Sequence, residues 1–371
     1  MTITIDHIHF YVEDAQTLQN WFINCLGFED ITEEFTVPVF HRSENEQQIL
    51  TKVVRSGYID FVISSPLSSC NKVAKFLKQH PPGVADVAFR VEDIKTVIKK
   101  IRTVGSEIFQ PVESYRNGQE IIQYALIAGW GGITHTLIQK DSVAEFFIPS
   151  PPGDRRCSSV SYKANPIATC TAIDHVVLNV EKGELKPAVA WYQKVLDFLP
   201  QQSFNINTEN SALNSQVLTS SDGRVQFPIN EPASNNSQIQ EFINFNRGAG
   251  IQHIALQVNN IVSSIIRFRG NGLSFLPVTP EYYLYTQQRK GFSIPKIELN
   301  AIEKQQILVD WNEKNPEAQL LQIFTQPIFA EPTFFLEFIE RRSCAEGFGE
   351  GNFRALFKVM EEEQMKRASN W

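Results

Sequence analysis

This 371-residue sequence encodes an α+β protein made of two tandem barrel-like domains, each assembled from two β-α-β-β-β modules. Three observations lead there. The sequence repeats internally: Asp6–Val12 (DHIHFYV) matches Asp174–Val180 (DHVVLNV), and Gly83–Val91 (GVADVAFRV) matches Gly250–Val258 (GIQHIALQV). The spacing repeats too, with 79 residues from His7 to Asp86 and 78 from His175 to His253. Between the copies, Ser150–Asn165 is rich in Pro and Ser and has no apolar periodicity, as a linker should. The expected boundaries are therefore 1–149 for the first domain, 150–165 for the linker and 166–371 for the second domain.

Each element has a local reason. Ile3–Val12 alternates bulky residues in the two-residue period of a strand. Leu18, Trp21, Phe22, Cys25 and Leu26 recur at helical spacing over Ala15–Leu26, and Gly27 stands where a helix-stopping glycine belongs. Strand-like runs follow at Ile31–His41, Gln48–Val54 and Tyr58–Ser64. Val84–Val91 is a strand, Ile94–Val104 a helix, and further strands run to Lys140. The second copy follows the same order, with Val278–Pro316 inserted between its last helix and its final strands. Phe353, Leu356, Phe357 and Met360 form the apolar stripe of a terminal amphipathic helix over Phe353–Lys366, preceded by Gly347, Gly349 and Gly351.

Composition excludes several classes. Hydrophobic residues make up 42% and charged residues 20%, the balance of a soluble globular chain. The net charge of −7 comes without a dense basic cluster, so no nucleic-acid partner is expected. The longest apolar runs have strand length, so no membrane span is expected. The first residues are strand-like and acidic, without the layout of a signal peptide. Five scattered cysteines, none in CxxC spacing, favour reduced thiols and a cytoplasmic protein.

The chemistry concentrates in Pro332–Arg341 (PTFFLEFIER). This strand-like run holds one acid, Glu337, among aromatic and branched residues, and Phe335, Glu337 and Ile339 share a face. Taken alone, Glu337 reads equally as an edge-strand side chain facing water, and a lone histidine as a hydrogen-bonded core residue. The repeat changes that weighing. The second copy carries His175, His253 and Glu337 where the first carries His7, Asp86 and Thr136. Two imidazoles and one carboxylate are the facial set of non-haem Fe(II) oxygenases. Thr136 is a poor ligand, so one metal per chain is expected, in the second domain, with the first domain structural and metal-free.

Several motifs carry a resemblance. Leu213–Ser220 (LNSQVLTS), Pro228–Pro232 (PINEP), Ser237–Leu256 (SQIQEFINFNRGAGIQHIAL), Leu320–Pro327 (LLQIFTQP) and the Cys344–Met365 stretch around GFGEGNFRALF resemble the 4-hydroxyphenylpyruvate dioxygenase family. The likeness spans essentially the whole chain. That family belongs to the vicinal-oxygen-chelate superfamily, whose modules are β-α-β-β-β. The resemblance implies Fe(II) on His175, His253 and Glu337, with 4-hydroxyphenylpyruvate and O2 as substrates and homogentisate and CO2 as products. It implies that Ser215, Asn230, Gln238, Gln252 and Gln322 line the substrate site, that Phe324, Phe335, Phe348 and Phe353 enclose the ring, and that the terminal helix is a lid. A homo-oligomer, dimer or tetramer, is expected. From the residues alone, Asn230 in PINEP fits a turn as well, and strict strand alternation would point Gln252 away from the metal. Two other activities stay open: 4-hydroxymandelate synthase, which uses the same substrate, and a non-catalytic small-molecule-binding member of the superfamily.

Overall fold

The computed structural model describes residues 2–34, 48–117, 120–140, 169–208 and 211–369. The 150–165 linker and most of the run expected as a strand over 31–41 lie outside the described residues. In the first half the elements are β1 (Ile3–Tyr11), α1 (Ala15–Trp21), β2 (Glu29–Asp30), β3 (Ile49–Ser56), β4 (Ile59–Pro66), α2 (Lys72–Gln79), β5 (Gly83–Val91), α3 (Ile94–Val104), β6 (Ile108–Asn117), β7 (Glu120–Ala128) and β8 (Thr134–Lys140). The second half has β9 (Cys170–Asn179), α4 (Leu185–Leu196), β10 (Leu199–Asn207), β11 (Ala212–Thr219), β12 (Gln226–Pro232), α5 (Gln238–Asn246), β13 (Gly250–Val258) and α6 (Ile261–Gly270). It continues through α7 (Pro280–Gln288), α8 (Lys296–Lys304), β14 (Leu308–Asn312), β15 (Asn315–Phe324), β16 (Phe335–Arg341) and α9 (Glu350–Ser369).

The strands form two eight-stranded half-barrels of one topology, β2-β3-β4-β1-β5-β8-β7-β6 and β10-β11-β12-β9-β13-β16-β15-β14. Each half-barrel is two β-α-β-β-β modules, as the repeat requires. Its centre is the antiparallel pair of first strands, β1 with β5 or β9 with β13. Helix boundaries follow their caps. Asp14, Asn71, Asp93, Ser237 and Asn260 each accept backbone N–H groups at a helix start. Past Trp21 the first helix widens into a five-residue π-turn that ends at Gly27 in the left-handed region.

Helices α2 and α5, which the sequence patterns leave unmarked, join the modules. Two expectations need correction. The inserted segment is shorter than Val278–Pro316, because Leu308–Asn312 pairs with β15 as the edge strand of the second sheet. Cys25, Cys70 and Cys170 are free, but Cys344 is disulfide-bonded; spacing along the chain does not report which distant thiols the fold brings together.

The halves share one apolar core, with Phe10 of β1 edge-on to Phe334 at 5.3 Å. Polar contacts seal the join. His135 Nδ1 bonds Val87 O at 2.9 Å, and its Nε2 bonds the Tyr192 hydroxyl at 3.0 Å. A carbonyl only accepts, so Nδ1 carries the proton and Nε2 accepts from Tyr192. Burial pushes His135 down to about 4, which keeps it neutral. No helix among the described residues is long and apolar enough to cross a membrane.

Candidate metal centre and cavity

Strand register brings the three separated ligand candidates together. His175 on β9 and Glu337 on β16 both face Ala255 of β13, from opposite sides, and His253 lies two residues earlier on β13. Their side chains point to one side, and one donor atom from each lies within 4.8 Å of the others. His175 Nε2 is 3.2 Å and His253 Nε2 3.6 Å from Glu337 Oε2. Two donors about 2.1 Å from one ion at right angles stand about 3 Å apart, so the set fits a divalent metal on one face.

Outer partners orient the ligands. His175 Nδ1 bonds Asp174 Oδ1 at 2.9 Å, and Asp174 is gripped by Arg341 through Nε and Nη2 at 2.7 and 2.8 Å. Gln257 donates to the same carboxylate. Burial opposes ionisation of Asp174, but Arg341 and His175 outweigh it and hold the carboxyl well below its usual range. Burial also opposes charge on His175; Glu337 and Asp174 win and lift it to about 9 in the metal-free protein. His253 has no such partner, and its Nδ1 is buried without a hydrogen bond. Burial and the neighbouring His175 keep it neutral, and its ring stacks on Phe335 at 4.7 Å with 17° between planes.

The ligands sit in a cavity lined by residues of both modules of the second half. Ser215, Asn230, Gln238, Gln252, Gln322, Phe324, Phe335 and Phe348 all line it. Phe353 lies in α9, but its side chain is outside the described residues. Asn230 stands in strand β12 and donates to Asn179, so PINEP is not a turn. Gln252 and His253 face the same cavity although adjacent, because a bulge interrupts the β9–β13 register between Ile251 and His253. A bulge is invisible to an alternation argument. Gln238 Oε1 is buried in the cavity wall without a partner, a free acceptor for a ligand's hydroxyl.

Gln322 is more committed than the sequence implied. Its Nε2 donates to Glu337 Oε1 at 2.8 Å and to Phe348 O at 3.1 Å, and its Oε1 accepts from Asn352 Nδ2 at 2.9 Å. Phe357 and Met360 of α9 close the cavity from above, and Phe204 and Ile206 of β10 line it too. The helical stripe made the first two legible as apolar; nothing local marks the last two as cavity residues.

Comparison with known proteins agrees with this geometry. The hydroxyphenylpyruvate dioxygenase N-terminal family matches residues 2–145, and the Glyoxalase/Bleomycin resistance protein/Dioxygenase superfamily matches 172–289. The chain is 33% identical to 4-hydroxyphenylpyruvate dioxygenase of Coccidioides posadasii, covering 98% of this chain and 94% of that protein. It is 34% identical to the Caenorhabditis briggsae enzyme (99% and 93% covered) and 33% identical to the Dictyostelium discoideum enzyme (98% and 99%). Among solved structures, a triple mutant of Streptomyces coelicolor 4-hydroxymandelate synthase superposes with a TM-score of 0.79 at 25% identity, over 97% of this chain and 98% of that one. Full-length matches of this identity, on a fold of tandem β-α-β-β-β modules with a convergent His-His-Glu set, place the chain in the 4-hydroxyphenylpyruvate dioxygenase family of vicinal-oxygen-chelate enzymes.

Proposed function

We propose that the chain is an Fe(II)-dependent enzyme that converts 4-hydroxyphenylpyruvate and O2 to homogentisate and CO2. One observation carries the reading: His175, His253 and Glu337 converge at a mostly apolar cavity whose polar groups are few and placed among aromatic walls. Bound there, a single Fe(II) supplies open positions for a chelating 2-oxo acid and for O2. The protein residues do the rest. Asp174 holds His175 with Nε2 toward the metal position, and Phe335 holds the His253 ring by stacking. Ser215, Asn230, Gln238 and Gln252 offer hydrogen bonds to the polar ends of the substrate, while Phe324, Phe335 and Phe348 confine its ring. Helix α9 keeps bulk water from the reacting centre.

In this reading residues 1–149 are structural and metal-free, 166–371 catalytic, and one Fe(II) is bound per chain. The resemblance also supports a cytoplasmic dimer or tetramer, which cell fractionation and light scattering test. The 4-hydroxymandelate synthase neighbour keeps a second product in view, because both activities start from the same substrate. Bulk behind the ring is what separates them: Phe324 and Phe335 hold the aromatic ring close, and a displacement on the order of 1 Å redirects such a step. Chromatography of products from purified protein, Fe(II), O2 and 4-hydroxyphenylpyruvate tests this. Homogentisate is expected from the unsubstituted protein, and some diversion to 4-hydroxymandelate or 4-hydroxyphenylacetate from Phe324→Ile. Mainly 4-hydroxymandelate from the unsubstituted protein reverses the assignment. A non-catalytic binding role requires the absence of substrate-dependent O2 uptake.

A further inference from the structure

We propose that Asn352 and Tyr282 are positioning residues that tie closure of helix α9 to the orientation of the Glu337 carboxylate. The inference rests on the reading of His175, His253 and Glu337 as a metal site.

As a carboxylate, Glu337 can only accept. Gln322 must therefore turn Nε2 toward it, and does, at 2.8 Å. That choice points Gln322 Oε1 the other way, so its neighbour has to donate. The neighbour is Asn352 Nδ2 at 2.9 Å. Asn352 then presents Oδ1 outward, and the Tyr282 hydroxyl donates to it at 2.6 Å. Tyr282 in turn accepts from Val309 N at 2.8 Å, and Val309 O at 2.9 Å is a second, longer acceptor for its one proton. The hydrogen bonds from Val309 N through Tyr282, Asn352 and Gln322 to Glu337 run in one direction, and neither amide can flip without setting two acceptors or two donors against each other. Gln322, Asn352 and Glu337 are 2%, 1% and 1% exposed, so water is not available to repair a break.

The members come from separate parts of the fold. Asn352 lies in the first turn of α9, Tyr282 in the inserted helix α7, and Gln322 and Glu337 on adjacent strands β15 and β16. The segment before α9 is held from below as well. Gln322 also donates to Phe348 O, and Arg341, which grips Asp174 behind His175, donates to Ala345 O and Gly347 O at 3.0 and 2.9 Å. Gly349 has a φ of +76°, and any side chain there would collide with Gln322 Oε1. Two of the three ligand candidates thus have their outer hydrogen bonds closed by the segment that starts the lid. If α9 swings away, Asn352 leaves Gln322, whose buried Oε1 is left without a donor, and the amide that meets Glu337 loses a contact that holds it in place. By linkage, metal on Glu337 must then favour the closed lid by the same factor that closure favours metal.

The full chain tests this with two readouts under anaerobic conditions: Fe(II) affinity by chelator competition, and hydrogen exchange over residues 350–369 with and without Fe(II). In the unsubstituted protein, Fe(II) is expected to slow exchange in that helix. Asn352→Leu and Tyr282→Phe are each expected to weaken Fe(II) binding about tenfold, the low end for loss of an outer partner, and to remove the metal-dependent part of the protection. A role in packing alone would change exchange equally with and without metal. Tyr282→Phe keeps the ring, so with the unsubstituted protein it decides the question should Asn352→Leu not fold. Fe(II) uptake without any change in lid exchange, or with unchanged affinity in the folded variants, overturns the coupling and leaves the metal reading standing. No Fe(II) uptake by the unsubstituted protein overturns both.

Discussion

The molecule contains its own control experiment. The corner of the second half-barrel that holds Asp174, His175, His253 and Glu337 has a counterpart in the first, at Asp6, His7, Asp86 and Thr136, and strand register makes the match residue by residue. His7 faces Ala88 as His175 faces Ala255, and Asp86 faces Thr134 as His253 faces Phe335. Even the outer carboxylate is repeated: Asp6 Oδ1 meets His7 Nδ1 at 2.9 Å and is bound by Arg90, as Asp174 meets His175 at 2.9 Å and is bound by Arg341. What differs is the pair of positions that complete a ligand set. In the first half a threonine hydroxyl, Thr134 Oγ1, donates to Asp86 at 2.6 Å, and burial raises the Asp86 pKa toward the neutral acid. In the second half Phe335 stacks on the imidazole instead. The fold thus supplies the convergence and the oriented first histidine twice. Whether a metal follows depends on the remaining two side chains.

The sharpest way to break this comparison is to make the second corner resemble the first. Glu337→Thr should take bound metal from one equivalent to none and abolish turnover, whereas His7→Ala should leave one equivalent; elemental analysis of the purified proteins reads both. Two equivalents in the unsubstituted protein would end the distinction. Helix α9 belongs to the second half, so deleting Phe353–Trp371, which stops short of Asn352, should spare folding and metal at saturating Fe(II). It should cost about 100-fold in coupled product, the scale expected when a reacting group is misplaced by an ångström or so. Product yield set against O2 consumption checks this, and unchanged coupling would reduce α9 to packing. The outer carboxylates should separate the halves by a smaller factor. Asp174→Asn should weaken metal binding about 10- to 100-fold, and Asp6→Asn should not change it, as chelator competition would show.

The smallest effect concerns His135, which stands where the second half has Leu336. Its folded pKa of about 4 lies below the 6.5 of the unfolded chain. The unfolded state therefore binds the proton first as pH falls. Stability contributed by neutral His135 is complete above pH 6.5 and is lost between about 6.5 and 4, by at most about 1.4 kcal/mol per pH unit. His135→Leu should flatten that slope in denaturant titrations. It should also lower stability above pH 6.5, because Tyr192 loses its acceptor. A slope identical to the unsubstituted protein's would assign the pH dependence elsewhere.

Residues close in the sequence determined a great deal here. Period-two and period-3.6 patterns, glycine stops and a repeat with nearly constant spacing were enough for two copies of a two-module domain. Comparison of the copies was enough to single out His175, His253 and Glu337, because a repeat turns one sequence into two aligned ones. Features that depend on partners from elsewhere in the chain are not legible locally. The bulge that turns Gln252 inward is a property of the β9–β13 pairing, and the unmarked α2 and α5 gain their stability from the sheets they cover. Gln322 lines the cavity from its strand face, and the partners of its amide, Glu337, Phe348 and Asn352, come from elsewhere in the chain. Hydrogen-bond direction is set by which donors and acceptors meet, and residues 282, 322, 337 and 352 meet only when the chain is folded. The alternation of β15 and β16 places Gln322 and Glu337 on one face; only the tertiary structure decides that Asn352 of helix α9 stands behind them.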